Sequence, residues 1–182
     1  MEAEVVRDTL LNAAGQLDLT PYGKPDGVTA RPDGLVTSTR SAAGWRRSIF
    51  VLQRRTKIPT LLENFDSPQM GPNCLDRNES IVAPQALHLL NNEMVHELAR
   101  RFADRVIDRV GSDSAAQVRE VYRLALSRLP TAEEHKTAIT ALIKLRHHWR
   151  ENAAATDESA AHNSLASFCH AIMNSAEFLY ID

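Results

Sequence analysis

The sequence predicts a mainly α fold, a helical bundle of about five helices with a small β-hairpin or three-stranded element near the N-terminus. Three observations carry this prediction. Apolar residues recur every three or four positions through most of the chain after residue 84, which is the spacing of one helix face. Capping residues precede these periodic stretches, and Gly or Pro follows several of them. A Pro-Asp-Gly turn separates two short strand-like runs near the front.

The predicted elements before residue 84 are short. They are a helix over 2–14, a loop over 17–27, hairpin strands at 28–30 and 35–37, a strand within 47–54, a helix over 60–65 and a polar loop over 66–83. The β-branched and aromatic residues of 47–54 favour a buried strand, which we expect to pair with the hairpin as a third strand. Pro59 suits the start of the short helix because the first turn leaves its own N–H groups unpaired.

The second half of the chain is predicted to be helical throughout. Four helices are expected: 84–110 ended by Gly111, a helix from 112–114 to Leu129, one from Thr131 through Arg150, and one from 156–157 to an interruption at 174–175. Thr131 and Glu134 form the capping-box pattern that opens a helix. We therefore predict a single domain over 1–182, with a mixed portion at 1–83 and a helical portion at 84–182.

Composition and charge exclude several classes of function. A formal net charge of −2 provides no overall field that attracts nucleic acid or an anionic membrane. No apolar run approaches the roughly 18 residues of a membrane span, and the acidic start of the chain does not resemble a signal peptide. We expect no membrane span and no nucleic-acid partner. The basic helix end at 144–150 keeps nucleic-acid binding open as a minor alternative, with steep salt dependence.

The stretch 45–92 carries the residues that a helical scaffold does not by itself require. The candidate functional or loop-locking residues are Arg46, Arg47, Asp66, Asn73, Cys74, Arg77, Gln85 and Asn91. We expect arginine guanidinium groups to pair with Asp66 or Asp76 and to fix the polar loop. No residue is assigned as catalytic, cofactor-binding or metal-binding, because the chain has no nucleophile elbow, phosphate loop or nucleotide fingerprint.

The sequence contains no standard pattern for a haem, calcium or zinc site. The chain has no C-x-x-C-H motif for covalent haem attachment. Acids and amides at 66–79 are of the type that binds calcium, but their spacing fits no standard calcium loop. His88 and His96, like His162 and His170, lie eight positions apart, which differs from the four-residue spacing of a helical zinc site. Cys74 and Cys169 are expected to be free thiols, and no cofactor is predicted on this chain.

Six motifs resemble those of a known family. They are W-R-R-S-I-F-V-L-Q-R-R at 45–55, F-D-S-P at 65–68, P-N-C-L-D-R at 72–77, S-I-V-A-P-Q-A-L-H-L-L-N at 80–91, Y-R-L-A-L-S-R-L-P-T-A-E-E at 122–134 and E-F-L-Y-I-D at 177–182. Together, and in this order, they resemble the C-terminal domain of unknown function of large planctomycetal cytochrome-c-associated proteins. The resemblance spans nearly the whole chain.

The resemblance implies a larger, exported or cell-envelope protein with a signal peptide, often with a cytochrome c domain, and with a suspected connection to polysaccharide breakdown. This sequence would then be an isolated C-terminal piece whose partners are the upstream domains or another protein. We predict a non-catalytic structural or interaction domain. The alternative is a fragment of an oxidoreductase or hydrolase in which Asp66, Arg77 and Gln85 contribute to a site that an upstream domain completes.

Overall fold

The computed structural model describes residues 1–54, 56–68, 83–152 and 156–180. Its internal contacts divide the chain into two compact units. The first unit is Met1–Asn12 with Gln16–Asn91, and the second is Ala13–Gly15 with Asn92–Asp182. The described residues form eight α-helices, which confirms a mainly helical fold with a small strand element near the N-terminus. The predicted number of about five matches only the longer helices, because three of the eight span nine residues or fewer, namely Thr60–Asn64, Ala83–Asn91 and Ala176–Leu179.

The first unit contains short elements in the following order: α1 (Ala3–Ala13), β1 (Leu17–Asp18), β2 (Val28–Ala30), β3 (Val36–Ser38), β4 (Trp45–Arg46), α2 (Thr60–Asn64) and α3 (Ala83–Asn91). Val6 and Leu10 of α1 are almost fully buried, as their spacing on one helix face predicts. Leu62 and Leu89 are buried as well. The apolar core of this unit therefore draws on helices at both ends of its sequence.

The strands form two separate ribbons. In the predicted hairpin, β2 pairs antiparallel with β3, with Thr29 opposite Thr37. The other ribbon is parallel and places Leu17 of β1 opposite Trp45 of β4. The stretch 17–27, predicted as loop, thus begins with a two-residue strand.

The predicted strand within 47–54 is wrong. Ser48–Phe50 forms a single 3-10 turn, and only an isolated parallel bridge joins Val51 to Asp26. Ile49 is 78% exposed, so the apolar run does not face a core on alternate residues as a half-buried strand would. No third strand joins the hairpin in the part of the chain that the structure describes.

The predicted helix over 84–110 is two helices. It breaks at Asn92, whose side chain accepts hydrogen bonds from the backbone N–H groups of Met94 and Val95 and caps α4 (Glu93–Val110). The apolar spacing continues across the break, so periodicity alone does not show it. The polar loop predicted at 66–83 falls largely outside the described residues.

The second unit is built from α4, α5 (Ser114–Leu126), α6 (Ala132–Asn152), α7 (Asp157–Met173) and α8 (Ala176–Leu179). Helix α7 packs extensively against α4 and α6, and α5 packs against the same two helices. The capping box is present, because Thr131 N donates to Glu134 Oε2 at 2.7 Å and Glu134 N donates to Thr131 Oγ1 at 3.3 Å. Among the described residues, no helix has both the length and the apolar composition to cross a membrane.

Candidate functional site

Arg46 is one of two predicted candidates that are buried among the residues that the structure describes, the other being Gln85. Its side chain is 6% exposed. Nη1 donates to the carbonyl of Lys24 at 2.7 Å, while Nη2 donates to the carbonyls of Thr20 at 3.0 Å and Tyr22 at 2.6 Å. The guanidinium carbon lies 4.1 Å from the centroid of the Phe50 ring, within the range of a cation–π contact. Arg46 thus binds three carbonyls of one loop, while the pairing of an arginine with Asp66 or Asp76 stays a prediction, because Asp76 and Arg77 lie outside the described residues.

The backbone around Arg46 is fixed through Asp26. Arg46 N donates to Asp26 Oδ2 at 3.0 Å. Asp26 N in turn donates to the Phe50 carbonyl, and Leu52 N donates to the Asp26 carbonyl, both at 2.8 Å. The loop that Arg46 holds by its side chain is therefore also tied to the 46–52 segment by its main chain.

A second buried arginine, Arg7 of α1, joins this network. Its side chain is 2% exposed. Nη1 donates to the Arg46 carbonyl at 2.9 Å, and Nη2 donates to Ser38 Oγ at 2.9 Å. Burial lowers the pKa of Arg7, and the neighbouring Asp8 opposes that shift. Arg7 thereby connects α1 to both strand ribbons of the first unit.

Arg47 lies at the edge of the same network. Its side chain is 58% exposed and its Nε lies 3.5 Å from Asp8 Oδ2. Asp8 Oδ1 also accepts from the backbone N of Ser48 at 2.8 Å and from Ser48 Oγ at 2.7 Å. Arg46 and Arg47 are therefore brought together around one hydrogen-bonded cluster, with Arg46 inside it and Arg47 at its surface.

The remaining candidates are distributed differently. Asp66 follows α2 with a positive φ of 58°, a conformation that Asp tolerates better than most residues. Gln85 of α3 is buried at 5% exposure, whereas Asn91 is exposed and donates from Nδ2 to the Leu87 carbonyl at 3.0 Å. Asn73, Cys74 and Arg77, as well as the calcium pattern at 66–79 apart from its first residues, lie outside the described residues.

Sequence reasoning missed Arg7. The signal that marks it is its position, four residues after Ala3 and three before Leu10, which places it on the apolar face of α1. A charged residue on that face must find partners inside the protein, because an unpaired buried charge is costly. Apart from the adjacent Asp8, the partners of Arg7 are far away in sequence and have no pattern of their own.

Helices α4 and α7 of the second unit contact each other through three histidines. His96 of α4 stacks on His170 of α7 with ring centroids 4.3 Å apart. His162 Nε2 lies 2.7 Å from Asp104 Oδ1. His96 and Asp104 are eight residues apart on α4, and their partners His170 and His162 are eight apart on α7 in the opposite direction. The two contacts therefore belong to one antiparallel helix–helix interface. Within the described ranges, no group of three or more His, Cys, Asp or Glu side chains is placed to bind a metal ion.

Cys169 is a free thiol in the core of the second unit. Its exposed fraction is 0%, and burial raises its pKa far above the ordinary value. A thiol in this environment stays protonated and is a poor nucleophile. Its contribution is therefore to packing.

The second unit also contains a groove of about 930 Å³. Its walls come from α4, α6 and α7 and from the start of α5. Apolar side chains including Ile107, Ile139 and Ile143 line it together with several charged groups. A volume at the upper end of the roughly 300–1,000 Å³ typical of ligand sites gives this groove room for more than one side chain.

Comparison with known proteins identifies one family. The model of the family described as PSD1, protein of unknown function (DUF1553), matches residues 1–142. No curated protein and no solved structure matches the chain. The family match covers both the Arg46 network and the first three helices of the second unit as far as residue 142. It supports the predicted relation to a family of unknown function, while the expected planctomycetal and cytochrome c association stays a prediction.

Proposed function

This chain belongs to the PSD1 family of proteins of unknown function (DUF1553), and we propose that it serves as a non-catalytic structural and interaction domain of a larger protein. The proposal rests on one observation. Arg46, which the sequence marks as a candidate site residue, is buried and donates to three carbonyls of its own unit. A guanidinium with these partners stabilises a loop and is not directed at a substrate.

The Arg7 network supports the same proposal. Arg7, Asp8 and Ser48 bind one another, and they join α1 to the segment after β4. Such a buried polar network favours one arrangement of short elements that have little regular secondary structure of their own. The first unit gains rigidity from it, which suits a domain that holds other parts of a protein in place.

The larger protein that contains this domain is the subject of a second proposal. The motifs at 45–55, 122–134 and 177–182 resemble those of exported, cytochrome-c-linked multidomain proteins connected with polysaccharide breakdown. On that basis the domain supports such an assembly at the cell envelope, and its partners are neighbouring domains or another protein. It would contribute binding and position, while other domains carry the haem and any chemistry.

Assays of the purified chain test the absence of catalysis. We expect no release of reducing sugar from a panel of polysaccharides and no reduction of a redox dye, because both terminal nitrogens of Arg46 donate to carbonyls of its own unit. Asp66→Asn provides the decisive variant. Turnover by the parent chain that is lost in Asp66→Asn, with an unchanged circular dichroism spectrum, would refute the proposal. The enzyme-fragment alternative is tested by the same substitution in the full-length protein, where it predicts an intact fold with lost activity.

A further inference from the structure

The charged residues of the groove in the second unit are unequal in number. Four carboxylates line it, those of Asp104, Asp108, Asp157 and Glu158. Only two guanidinium groups do so, those of Arg101 and Arg146. Counting carboxylates and guanidinium groups alone, the lining carries an excess of two negative charges. The field within the groove favours a cation.

Several of these charges are already paired within the unit. Asp104 binds His162 at 2.7 Å, and Asp157 lies 3.6 Å from Arg146 and 3.1 Å from Arg150. The remaining two acids, Asp108 and Glu158, have no hydrogen-bond or ion-pair partner among the described residues. Both are exposed. The groove thus offers two carboxylates that a ligand can neutralise.

Two helix N-termini at the groove argue for an anion, but both are already satisfied. Asp113 accepts from the backbone N–H groups of Ala115 and Ala116 at the start of α5. Thr156 caps α7, whose first turn also carries Asp157 and Glu158. The partial positive charge of a helix start is offset by acids at that position. The carboxylates of Asp108 and Glu158 therefore favour a ligand with positive charge.

The apolar wall defines the rest of the ligand. Ile143 is 65% exposed although it lines the groove. Ile139 and Leu142 of the same helix, α6, and Ile107 of α4 line the groove as well. A ligand that carries only charge would leave this surface in contact with water. A ligand with both a cationic group and aliphatic neighbours would cover it and gain the free energy of apolar burial.

We infer that the groove between α4, α6 and α7 binds a segment of a partner protein in which Lys or Arg side chains alternate with leucine-like residues. The cationic groups bind at Asp108 and Glu158, while the aliphatic residues pack on the Ile107 and Ile143 side. This inference rests on the proposed interaction role and gives that role a surface and a class of partner. It depends on no residue of the Arg46 network.

Peptide binding to the whole chain tests the inference. The probe is a fluorescently labelled hexapeptide of four leucines and two lysines, followed by anisotropy. Two comparison peptides replace the lysines by glutamates or the leucines by glycines. We expect saturable binding of the lysine–leucine peptide only, and we expect added salt to weaken it because the ion pairs are partly exposed.

A matched pair of double variants locates the binding. In D108N/E158Q we expect the dissociation constant to rise roughly three- to tenfold, as for the loss of two partly exposed ion pairs. E63Q/E133Q removes the same charge outside the groove and should bind like the parent chain. Ile143→Ser should weaken binding at unchanged charge. Far-ultraviolet circular dichroism verifies that every variant is folded.

Three outcomes would overturn the inference. They are no binding of the lysine–leucine peptide at 1 mM, equal binding of the glutamate peptide, or equal weakening by the two double variants. A groove occupied by a second copy of the chain would appear as self-association in sedimentation that D108N/E158Q abolishes, and this too would contradict a basic partner segment. None of these results bears on catalysis, so the proposed non-catalytic role stands or falls separately by the turnover assay.

Discussion

Arg46 and Gly44 lie two residues apart and fix the same part of the first unit by different means. Arg46 supplies donors that gather three carbonyls of the 20–24 loop. Gly44 contributes by having no side chain. A Cβ at this position would lie 2.4 Å from the Gln16 carbonyl oxygen and would clash with it. That close approach allows Trp45 N to donate to the same oxygen at 2.9 Å. The parallel β1–β4 ribbon depends on both.

Gly44→Ala is therefore expected to be one of the most damaging small substitutions in the chain. Gly44 has a φ of +118°, so alanine brings backbone strain in addition to the clash with Gln16. We expect a loss of about 3–4 kcal/mol in the free energy of unfolding. Urea unfolding followed by circular dichroism measures it.

Gly34→Ala is the matched control. Gly34 also has a positive φ, +85°, but a Cβ there would meet nothing within 4 Å. Only the conformational cost of about 1–2 kcal/mol applies. Equal losses in the two variants would show that the contact with Gln16 has no energetic weight.

The sequence predicted which arginines form the polar contacts of the first unit better than it predicted their hydrogen-bond partners. Arg46 and Arg47 stand out in the sequence, and both contribute to the network around Ser48. The partners predicted for the arginines are the carboxylates of Asp66 or Asp76, since opposite charges are visible in a sequence. Backbone carbonyls occur at every residue, so no pattern indicates that those of Thr20 and Tyr22 converge on one guanidinium.

At the scale of elements, the start of α4 is set by the side-chain cap at Asn92, although the apolar periodicity of the sequence continues across this residue. Asn92 is 6% exposed, and its Oδ1 accepts from Met94 N at 2.8 Å. Asn92→Ala removes that acceptor and should cost about 1 kcal/mol of unfolding free energy. Urea unfolding of Asn91→Ala provides the control, because Asn91 is exposed and donates only to a helix carbonyl. An Asn91→Ala loss as large as that of Asn92→Ala would contradict the capping role.

The helices of the second unit were predicted well where caps and breakers mark them. The capping box at Thr131 and the interruption at Asn174 are both present. The break at Asn92 was missed because apolar residues keep the same spacing on both sides. The strand in 47–54 was predicted wrongly because β-branched residues indicate a strand only when one face is buried, and Ile49 faces solvent.

The joint between α5, α6 and α8 should make stability depend on acid. Arg128 Nη2 lies 2.7 Å from both Glu134 Oε1 and Glu177 Oε2. Its hydrogen bonds, together with those from Thr131, lower the pKa of Glu134 from an ordinary 4.5 to about 2, and the hydrogen bond from Arg128 lowers the pKa of Glu177 as well. A carboxyl with a lowered pKa stabilises the folded state above its unfolded pKa, and that contribution disappears as pH falls through the folded pKa.

Arg128→Met tests this dependence. Urea unfolding of the parent chain and the variant should differ most above pH 5, and the difference should shrink as pH falls from about 4.5 towards 2. Arg119→Met removes an exposed guanidinium of α5 that has no ion-pair partner among the described residues, so its difference from the parent should stay constant. A pH-independent difference for Arg128→Met would mean that its carboxylate pairs do not persist in solution.

At the scale of the whole molecule, the two units combine different kinds of stabilisation. The second unit relies on apolar helix packing, with Phe102, Val106 and Leu165 buried. The first unit has shorter elements and relies more on buried polar contacts at Arg7 and Arg46. This contrast explains why the sequence reveals the helical half readily. It also explains why the polar residues of 45–92 resemble a functional site although the described ones contribute internal contacts.

The free energy of unfolding of Arg46→Met, measured beside that of Arg47→Met, tests this account most directly. The two arginines are neighbours with equal charge, but Arg46 is buried with three carbonyl partners, whereas Arg47 is largely exposed with one ion pair at 3.5 Å. We predict a loss of about 2–4 kcal/mol for Arg46→Met and less than about 1 kcal/mol for Arg47→Met. An Arg46→Met chain as stable as its parent would contradict the claim that this arginine holds the fold.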